Sequence, residues 1–174
     1  MRNPYLPVAW LTASTITLGS CTFDDASRFN NQFIVDGKSY ALVSGIAIAQ
    51  PDPPAEESTV QVWSVTLDSP GKARKIHSVS FDLYTDAAEM LPEGTYTFDA
   101  EHVQTGQTFY HADATVNYDR ERQEGGQVYK ELDGGTVTIR LLDEARRDYA
   151  ISFDLSLNQR RVKGYYRGVV EVAR

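Results

Sequence analysis

The stretch that decides the fold is Gly134–Ala173, which reads GGTVTIRLL, DEARR, DYAISFDLSL, NQRR and VKGYYRGVVEVA. In its first apolar segment Val137, Ile139 and Leu141 occupy alternate positions, with threonine and arginine between them. Side chains of a strand point alternately to its two faces, so this spacing predicts a strand with one dry and one wet face. One-sided burial favours antiparallel pairing. The polar segments are then turns, and the stretch is a three-stranded meander.

The last of these segments carries two glycines on one face. Gly164 and Gly168 alternate with charged and aromatic residues and share their face with Tyr166 and Val170. Glycine inside a strand weakens it and usually marks a bend or the close approach of a neighbour. The spacing therefore predicts either a bend in this strand or a neighbour packed closely against it.

The same pattern of short alternating segments and turns extends back to Gln32. Asp36-Gly37 lies between two short apolar runs and predicts a hairpin, because a type I′ turn needs positive φ at both central residues. About nine or ten strands and almost no helix predict one all-β domain over residues 32–174, an antiparallel β-sandwich. The alternative is a lipocalin-like closed barrel, which would hold a small apolar ligand in its lumen.

Residues 1–20 have the features of a secretory signal peptide. Their apolar part, Val8–Leu18, is shorter than the ~20 residues that a membrane-spanning helix needs, and it ends in small residues. The ending Leu18-Gly19-Ser20-Cys21 resembles the lipobox of bacterial lipoproteins, in which the cysteine is acylated with fatty acids such as palmitate and becomes the mature N-terminus. Cys21 is the only cysteine, and lipidation accounts for an exported chain with one odd thiol.

A lipid on Cys21 predicts where the protein is found. Residues 21–31 are polar and serve as a tether between lipid and domain. We expect a protein anchored to the bacterial outer membrane through its lipid. Asp24-Asp25 follows the cysteine closely and resembles the export signal of surface lipoproteins in Bacteroidetes. A surface-exposed and a periplasm-facing position both stay open.

The chain is acidic, with 17 Lys+Arg against 24 Asp+Glu, which argues against a nucleic-acid partner. The charge is uneven. From Gly134 onward there are eight basic and five acidic residues, whereas Cys21 to Asp133 hold eight basic and nineteen acidic residues. Solvated turns and wet faces explain this bias in most proteins. The other interpretation is a cationic patch for an anionic partner.

No sequence pattern assigns catalysis. The chain has no Gly-x-Ser-x-Gly nucleophile motif and no glycine-rich phosphate loop. His77, His102 and His111 lack the spacing of zinc ligands. Asp82 and Asp154 occupy wet positions of long strands, where solvation explains them. We therefore assign no catalytic residue, no metal ligand and no cofactor.

Two aromatic pairs are the only candidates for binding. Phe109-Tyr110 and Tyr165-Tyr166 are adjacent in strands, so one ring of each pair faces outward. If Tyr110 and Tyr166 belong to the core, then Phe109 and Tyr165 are exposed. An exposed ring can stack on a sugar or anchor a partner protein. The alternative is that the outer ring packs under a loop or pairs across strands.

The segments FIVDGKSYAL, LPEGTYTF and KGYYRG, placed after a lipobox, resemble those of a group of uncharacterised Bacteroidetes lipoproteins. The resemblance covers about a third of the chain and implies a secreted β-sandwich without a known activity. We expect a lipid-anchored envelope protein that acts as a non-enzymatic binding or interaction module for a glycan or an envelope protein. The alternative function is that of a polysaccharide-acting hydrolase on a jelly-roll-like scaffold.

Overall fold

A computed structural model of the chain describes residues 30–50, 60–69, 74–86, 88–101 and 106–173. Strands take up 74% of these residues and no helix occurs among them, which confirms the all-β prediction. The eleven strands are β1 (Gln32–Val35), β2 (Lys38–Ala41), β3 (Ser44–Gln50), β4 (Val60–Asp68), β5 (Lys75–Asp86), β6 (Gly94–Phe98), β7 (Thr108–Asp119), β8 (Gln127–Tyr129), β9 (Leu132–Asp143), β10 (Asp148–Leu157) and β11 (Arg160–Ala173).

Eight of these strands form a closed barrel in the order β10-β9-β6-β7-β5-β4-β3-β11, and β11 pairs with β10 to complete the ring. The predicted sandwich is therefore wrong, and the closed-barrel alternative is confirmed. The last part of β11 makes the decisive contact, because Val170–Ala173 pair in parallel with Gly45–Ile48 of β3. Strands so distant in sequence leave no local signature of their pairing, and a sandwich and a barrel show the same alternation.

The predicted meander is present as β9, β10 and β11. Its inward residues follow the expected alternation: Tyr149, Ile151, Phe153, Leu155 and Leu157 of β10 are all buried. One inward position of β11 is Gly164, where a β-carbon would lie 2.2 Å from Cζ of Phe153 and 2.8 Å from Cβ of Phe33. The predicted close approach of a neighbour is thus confirmed at Gly164. A glycine is needed there because the ring of Phe153 and the Cβ of Phe33 occupy the space of a side chain.

Three strands lie outside the ring. The β1–β2 hairpin pairs with β11 through β1, and its turn residues Asp36 and Gly37 have φ of 50° and 72°, as the Asp-Gly signal predicts. The short β8 pairs with β7. The hydroxyl of Tyr129 on β8 donates a hydrogen bond to Asp36 Oδ2 at 3.0 Å. These contacts hold the hairpin and β8 together at the end of the barrel where β11 begins.

Candidate functional site

The two rings predicted to be exposed are both buried. Phe109 is 0% exposed and belongs to the core, whereas its neighbour Tyr110 is 36% exposed. The reason is a β-bulge: Leu83 pairs with Phe109 but Asp82 pairs with His111, so Tyr110 is an extra residue in β7. The bulge reverses the alternation between Phe109 and Ala112. The expectation that Phe109 is the outer ring of its pair is therefore wrong, and Tyr110 takes that position.

Tyr165 is also covered. It alternates with the inward Gly164 and Tyr166, but only 9% of it is exposed. At this level β11 has a neighbour on both sides, with Gln32 of β1 and Ser152 of β10 directly opposite Tyr165. The expectation that Tyr165 is exposed is therefore wrong, and neither Tyr165 nor Phe109 offers a ring face to a ligand.

The exposed ring of Tyr110 is supported by a second tyrosine. Its ring stacks on that of Tyr84 in β5, with the ring centroids 5.1 Å apart and the planes tilted by 28°. Tyr84 is almost fully buried, and this burial, followed by its hydrogen bond to Tyr110 and the nearby charges, raises the pKa of its hydroxyl. Tyr84 thus stays neutral and forms a fixed platform beneath Tyr110.

A row of polar side chains continues from this aromatic pair across β5 and β4. Ser64, Asp82 and His111 lie directly opposite one another on three adjacent strands. Asp82 accepts a hydrogen bond of 2.5 Å from Ser64 Oγ on one oxygen, and its other oxygen lies 3.1 Å from Nδ1 of His111. Gln50 on β3 donates to Ser64 Oγ at 2.5 Å. Tyr84, Tyr110, Ser64, Asp82, His111 and Gln50 are hereafter called the Tyr110 surface.

The order of groups on this surface excludes a serine nucleophile activated by His111. In a serine triad the histidine lies between the serine and the carboxylate, because it must take the serine proton. Here Asp82 lies between Ser64 and His111. The carboxylate instead orients the imidazole through Nδ1, which leaves Nε2 of the half-exposed His111 available to a ligand.

The next pair on the same face of β5 and β7, two residue pairs from Asp82 and His111, is Ser80 and Asp113, and the Ser80 hydroxyl donates a hydrogen bond to Asp113. Asp154, the other wet-face carboxylate singled out in the sequence, lies elsewhere. It is on β10, four strands from β5 round the ring, and Arg161 donates to both of its oxygens at 2.8 and 2.6 Å. Asp82 and Asp154 therefore do not form a pair that could flank one glycosidic bond.

The barrel lumen is the other candidate location for a ligand. Its inward side chains form one apolar cluster, and large rings such as those of Trp63 and Tyr149 are fully buried in it. An eight-stranded barrel has room for its own side chains or for one small ligand. Among the described residues, Trp63 Nε1 and the Tyr149 hydroxyl are buried without a hydrogen-bond partner. They stand on β4 and β10, three strands apart, whereas the groups of the Tyr110 surface are contiguous and accessible.

His77 has structural contacts and lies at the opposite end of β5 from Tyr84. Its Nδ1 accepts a hydrogen bond of 3.0 Å from the backbone N–H of Asn117, and its ring contacts that of Tyr40 with centroids 4.8 Å apart. Partial burial, followed by the charge of Lys75, lowers the pKa of His77 from its ordinary value of 6.5. The neutral imidazole is therefore the form that the folded protein prefers.

This preference predicts how stability changes with pH. A histidine with a lowered pKa in the folded state contributes its full stability above the unfolded value of 6.5 and loses it as the pH falls toward the folded pKa. At pH values under about 6.5, we expect the free energy of unfolding of the wild type to decrease more than that of His77→Gln. The glutamine amide oxygen can accept the hydrogen bond from the same N–H but does not titrate. Urea titrations between pH 8 and 5 measure this. A constant difference between the two proteins would contradict the prediction.

Within the described ranges, no group of three or more His, Cys, Asp or Glu side chains is arranged to hold a metal ion. The described residues also contain no helix long and apolar enough to cross a membrane. Several segments lie outside the described part: Cys21, the first nine residues of the predicted tether, the proline-rich loop after Gln50 and His102.

Comparisons with models of protein families, with curated proteins and with solved structures gave no match to this chain.

Proposed function

We propose that this protein is a lipid-anchored module of the bacterial envelope, of the kind that the Bacteroidetes lipoprotein group represents, and that it binds a glycan at the Tyr110 surface. The observation that carries the glycan part is the exposed ring of Tyr110, stacked on the fixed ring of Tyr84, beside a row of oriented hydrogen-bonding groups. The apolar face of a sugar ring stacks on an aromatic ring, while its hydroxyls need donors and acceptors close by.

The polar row supplies such partners. With Nδ1 held by Asp82, His111 presents Nε2 for a hydrogen bond with a sugar hydroxyl. Gln50 and Ser64 add an amide and a hydroxyl in the same row. These side chains are already bonded to one another, so little conformational entropy is lost when a ligand binds. The carboxylates Asp82 and Asp113 disfavour an anionic polysaccharide, and a neutral glycan is therefore the expected ligand.

The test is a glycan array followed by titration, using the chain from residue 21 with Cys21→Ser so that the protein stays soluble. Aromatic stacking on a ring-shaped ligand is worth about 1–3 kcal/mol per ring, as judged from nucleobases. We therefore expect Tyr110→Ala to weaken binding by about tenfold or more. Val128→Ala is the matched control, because Val128 is exposed and apolar but lies on β8 outside the Tyr110 surface.

Three outcomes decide between the functions. Binding that is lost in Tyr110→Ala and kept in Val128→Ala supports the glycan module. A bound oligosaccharide that is shortened would favour the hydrolase, with Asp82→Asn as the variant that should retain binding and lose cleavage. An array without any bound glycan, together with an envelope protein recovered by crosslinking at Tyr110, would replace the glycan with a protein partner.

The lipid anchor is tested separately by growing cells with a labelled fatty acid. The chain should incorporate the label, and Cys21→Ser should not. Retention of the label in Cys21→Ser would show that the anchor is elsewhere or that no lipobox is used.

A further inference from the structure

The chain enters the barrel at a defined point on β11. The side chain of Asn31 donates from Nδ2 to the carbonyl oxygen of Arg167 and accepts from the backbone N–H of Arg167, both at 2.8 Å. This pair of bonds fixes the start of the described chain against the edge of β11. Only nine residues separate Cys21 from Asn31, so a lipid on Cys21 can be at most about 35 Å from this point.

Exposed apolar side chains lie beside this entry point. Ile46 and Ile48 project outward from β3, and Val169 projects outward from β11 just after Arg167. Ala173 is exposed and pairs with Ile48, and Glu171 lies between Val169 and Ala173, opposite Ile46. These five side chains are called the β3–β11 face. Such a cluster is unusual on this barrel, because the exposed large apolar residues elsewhere on the ring are scattered singly.

Basic side chains border this face on the side of β10. Arg140 of β9 and Arg167 of β11 are both exposed. They lie on either side of Ala150 of β10, which is only 2% exposed. The acidic groups nearby are Glu171, Asp148, its partner Asp143 on β9, and Glu93, which accepts from the backbone N–H of Leu141. The opposite side of the barrel, at β5 and β7, instead carries the carboxylates Asp82 and Asp113. Two of the eight basic residues after Gly134, Arg140 and Arg167, are thus placed on the side where the described chain begins.

We infer that the β3–β11 face rests on the phospholipid surface to which the protein is anchored, with its apolar side chains in the interfacial layer and Arg140 and Arg167 at anionic headgroups. This inference depends on the lipid anchor of the proposed function. A single short tether holds the protein near the bilayer, and each buried apolar side chain and each basic residue adds to the attraction. Tyr110 then points away from the membrane, because β7 is four strands from β11 in both directions round the ring. Ser64 and Gln50, at the other end of the Tyr110 surface, adjoin Ile48 at the edge of the β3–β11 face.

The sole cysteine makes a direct test possible without relying on lipidation in the cell. The chain from residue 21 is coupled through Cys21 to a maleimide lipid in vesicles of phosphatidylethanolamine with a minority of phosphatidylglycerol. The acyl chains are brominated, so they quench any tryptophan that reaches them. Of the two native tryptophans only Trp63 lies in the part from residue 21 onward; it is fully buried and provides the same background in every variant. Ile48→Trp reports on the β3–β11 face, and Val128→Trp on the far side, from positions that are 45% and 54% exposed.

We expect several-fold stronger quenching of the introduced indole in Ile48→Trp than in Val128→Trp. Adding Ile46→Glu to Ile48→Trp should lower the quenching to the level of Val128→Trp. Equal quenching of both reporters would overturn the inference. So would the absence of quenching in both, which is the result expected if a second copy of the chain covers this face. Because coupling replaces the natural lipid, these results are independent of the fatty-acid labelling that tests the anchor.

Discussion

Gly164→Ala is expected to destabilise the barrel by about 3 kcal/mol or more, the upper range for overpacking a well-filled core. The added β-carbon would lie 2.2 Å from Cζ of Phe153 and 2.8 Å from Cβ of Phe33. Both rings are buried, and Phe33 belongs to the hairpin that pairs with β11, so neither can move away without opening other contacts. The free energy of unfolding is measured by urea denaturation, with the emission of buried Trp63 as the signal.

Gly134→Ala in β9 is the matched control. No atom lies within 4 Å of a β-carbon built at Gly134, so the same substitution meets open space there. It is expected to be neutral or to stabilise by about 0.4–1 kcal/mol, because alanine restricts the unfolded chain. Phe153→Leu should recover part of the stability lost in Gly164→Ala, since the two positions are in contact. Equal stabilities for Gly164→Ala and Gly134→Ala would show that the rings are not packed against Gly164.

Phe109→Ala is expected to cost about 3–5 kcal/mol, as for other fully buried phenylalanines, whereas Tyr110→Ala should cost less than about 1 kcal/mol. Phe109 is buried completely and contacts Phe98 edge-on, with the ring centroids 6.3 Å apart. Tyr110 is partly exposed, and its replacement removes its stacking on Tyr84, its hydrogen bond to Tyr84 and its partial burial. The same urea titration measures both variants.

This pair of variants tests the bulge in β7. Strict alternation through Ala112 and Ala114 would place Tyr110 inside and Phe109 outside, and would therefore predict the opposite order of the two costs. A larger loss of stability in Tyr110→Ala than in Phe109→Ala would show that β7 has no extra residue at this point. A small cost for Tyr110→Ala also matters for the glycan titration, because it means that lost binding cannot be attributed to unfolding.

The candidate site was only partly predictable. Adjacent aromatic residues at 109 and 110 are visible in the sequence, and so is the rule that one of them must face outward. Which one does so depends on a bulge that forms against β5, between Asp82 and Leu83. The polar row was not predicted, because Gln50, Ser64, Asp82 and His111 come from four strands and are dispersed over more than sixty residues. Only the register of those strands brings them into one line.

Tyr165 shows the same limit in another way. Its outward position follows from alternation with Gly164 and Tyr166, yet it is buried at the level where β1 pairs with β11. Alternation tells which face of a strand a side chain is on. It does not tell whether the side chain is buried, because the burial depends on which strand pairs at that level. For Tyr165 that strand is β1, more than a hundred residues away in the sequence.

The sequence by itself determined the all-β class, the β9–β11 meander and the Asp36-Gly37 hairpin. All of these depend on contacts between neighbouring strands or on backbone conformation within a turn, which local patterns encode. Only the tertiary structure decided that the sheet closes, that Tyr110 rather than Phe109 is exposed, and that Asp82 joins Ser64 to His111. Each of these depends on pairing between distant strands. Such pairing is selected by the packing of the whole core, and no short stretch of the chain records it.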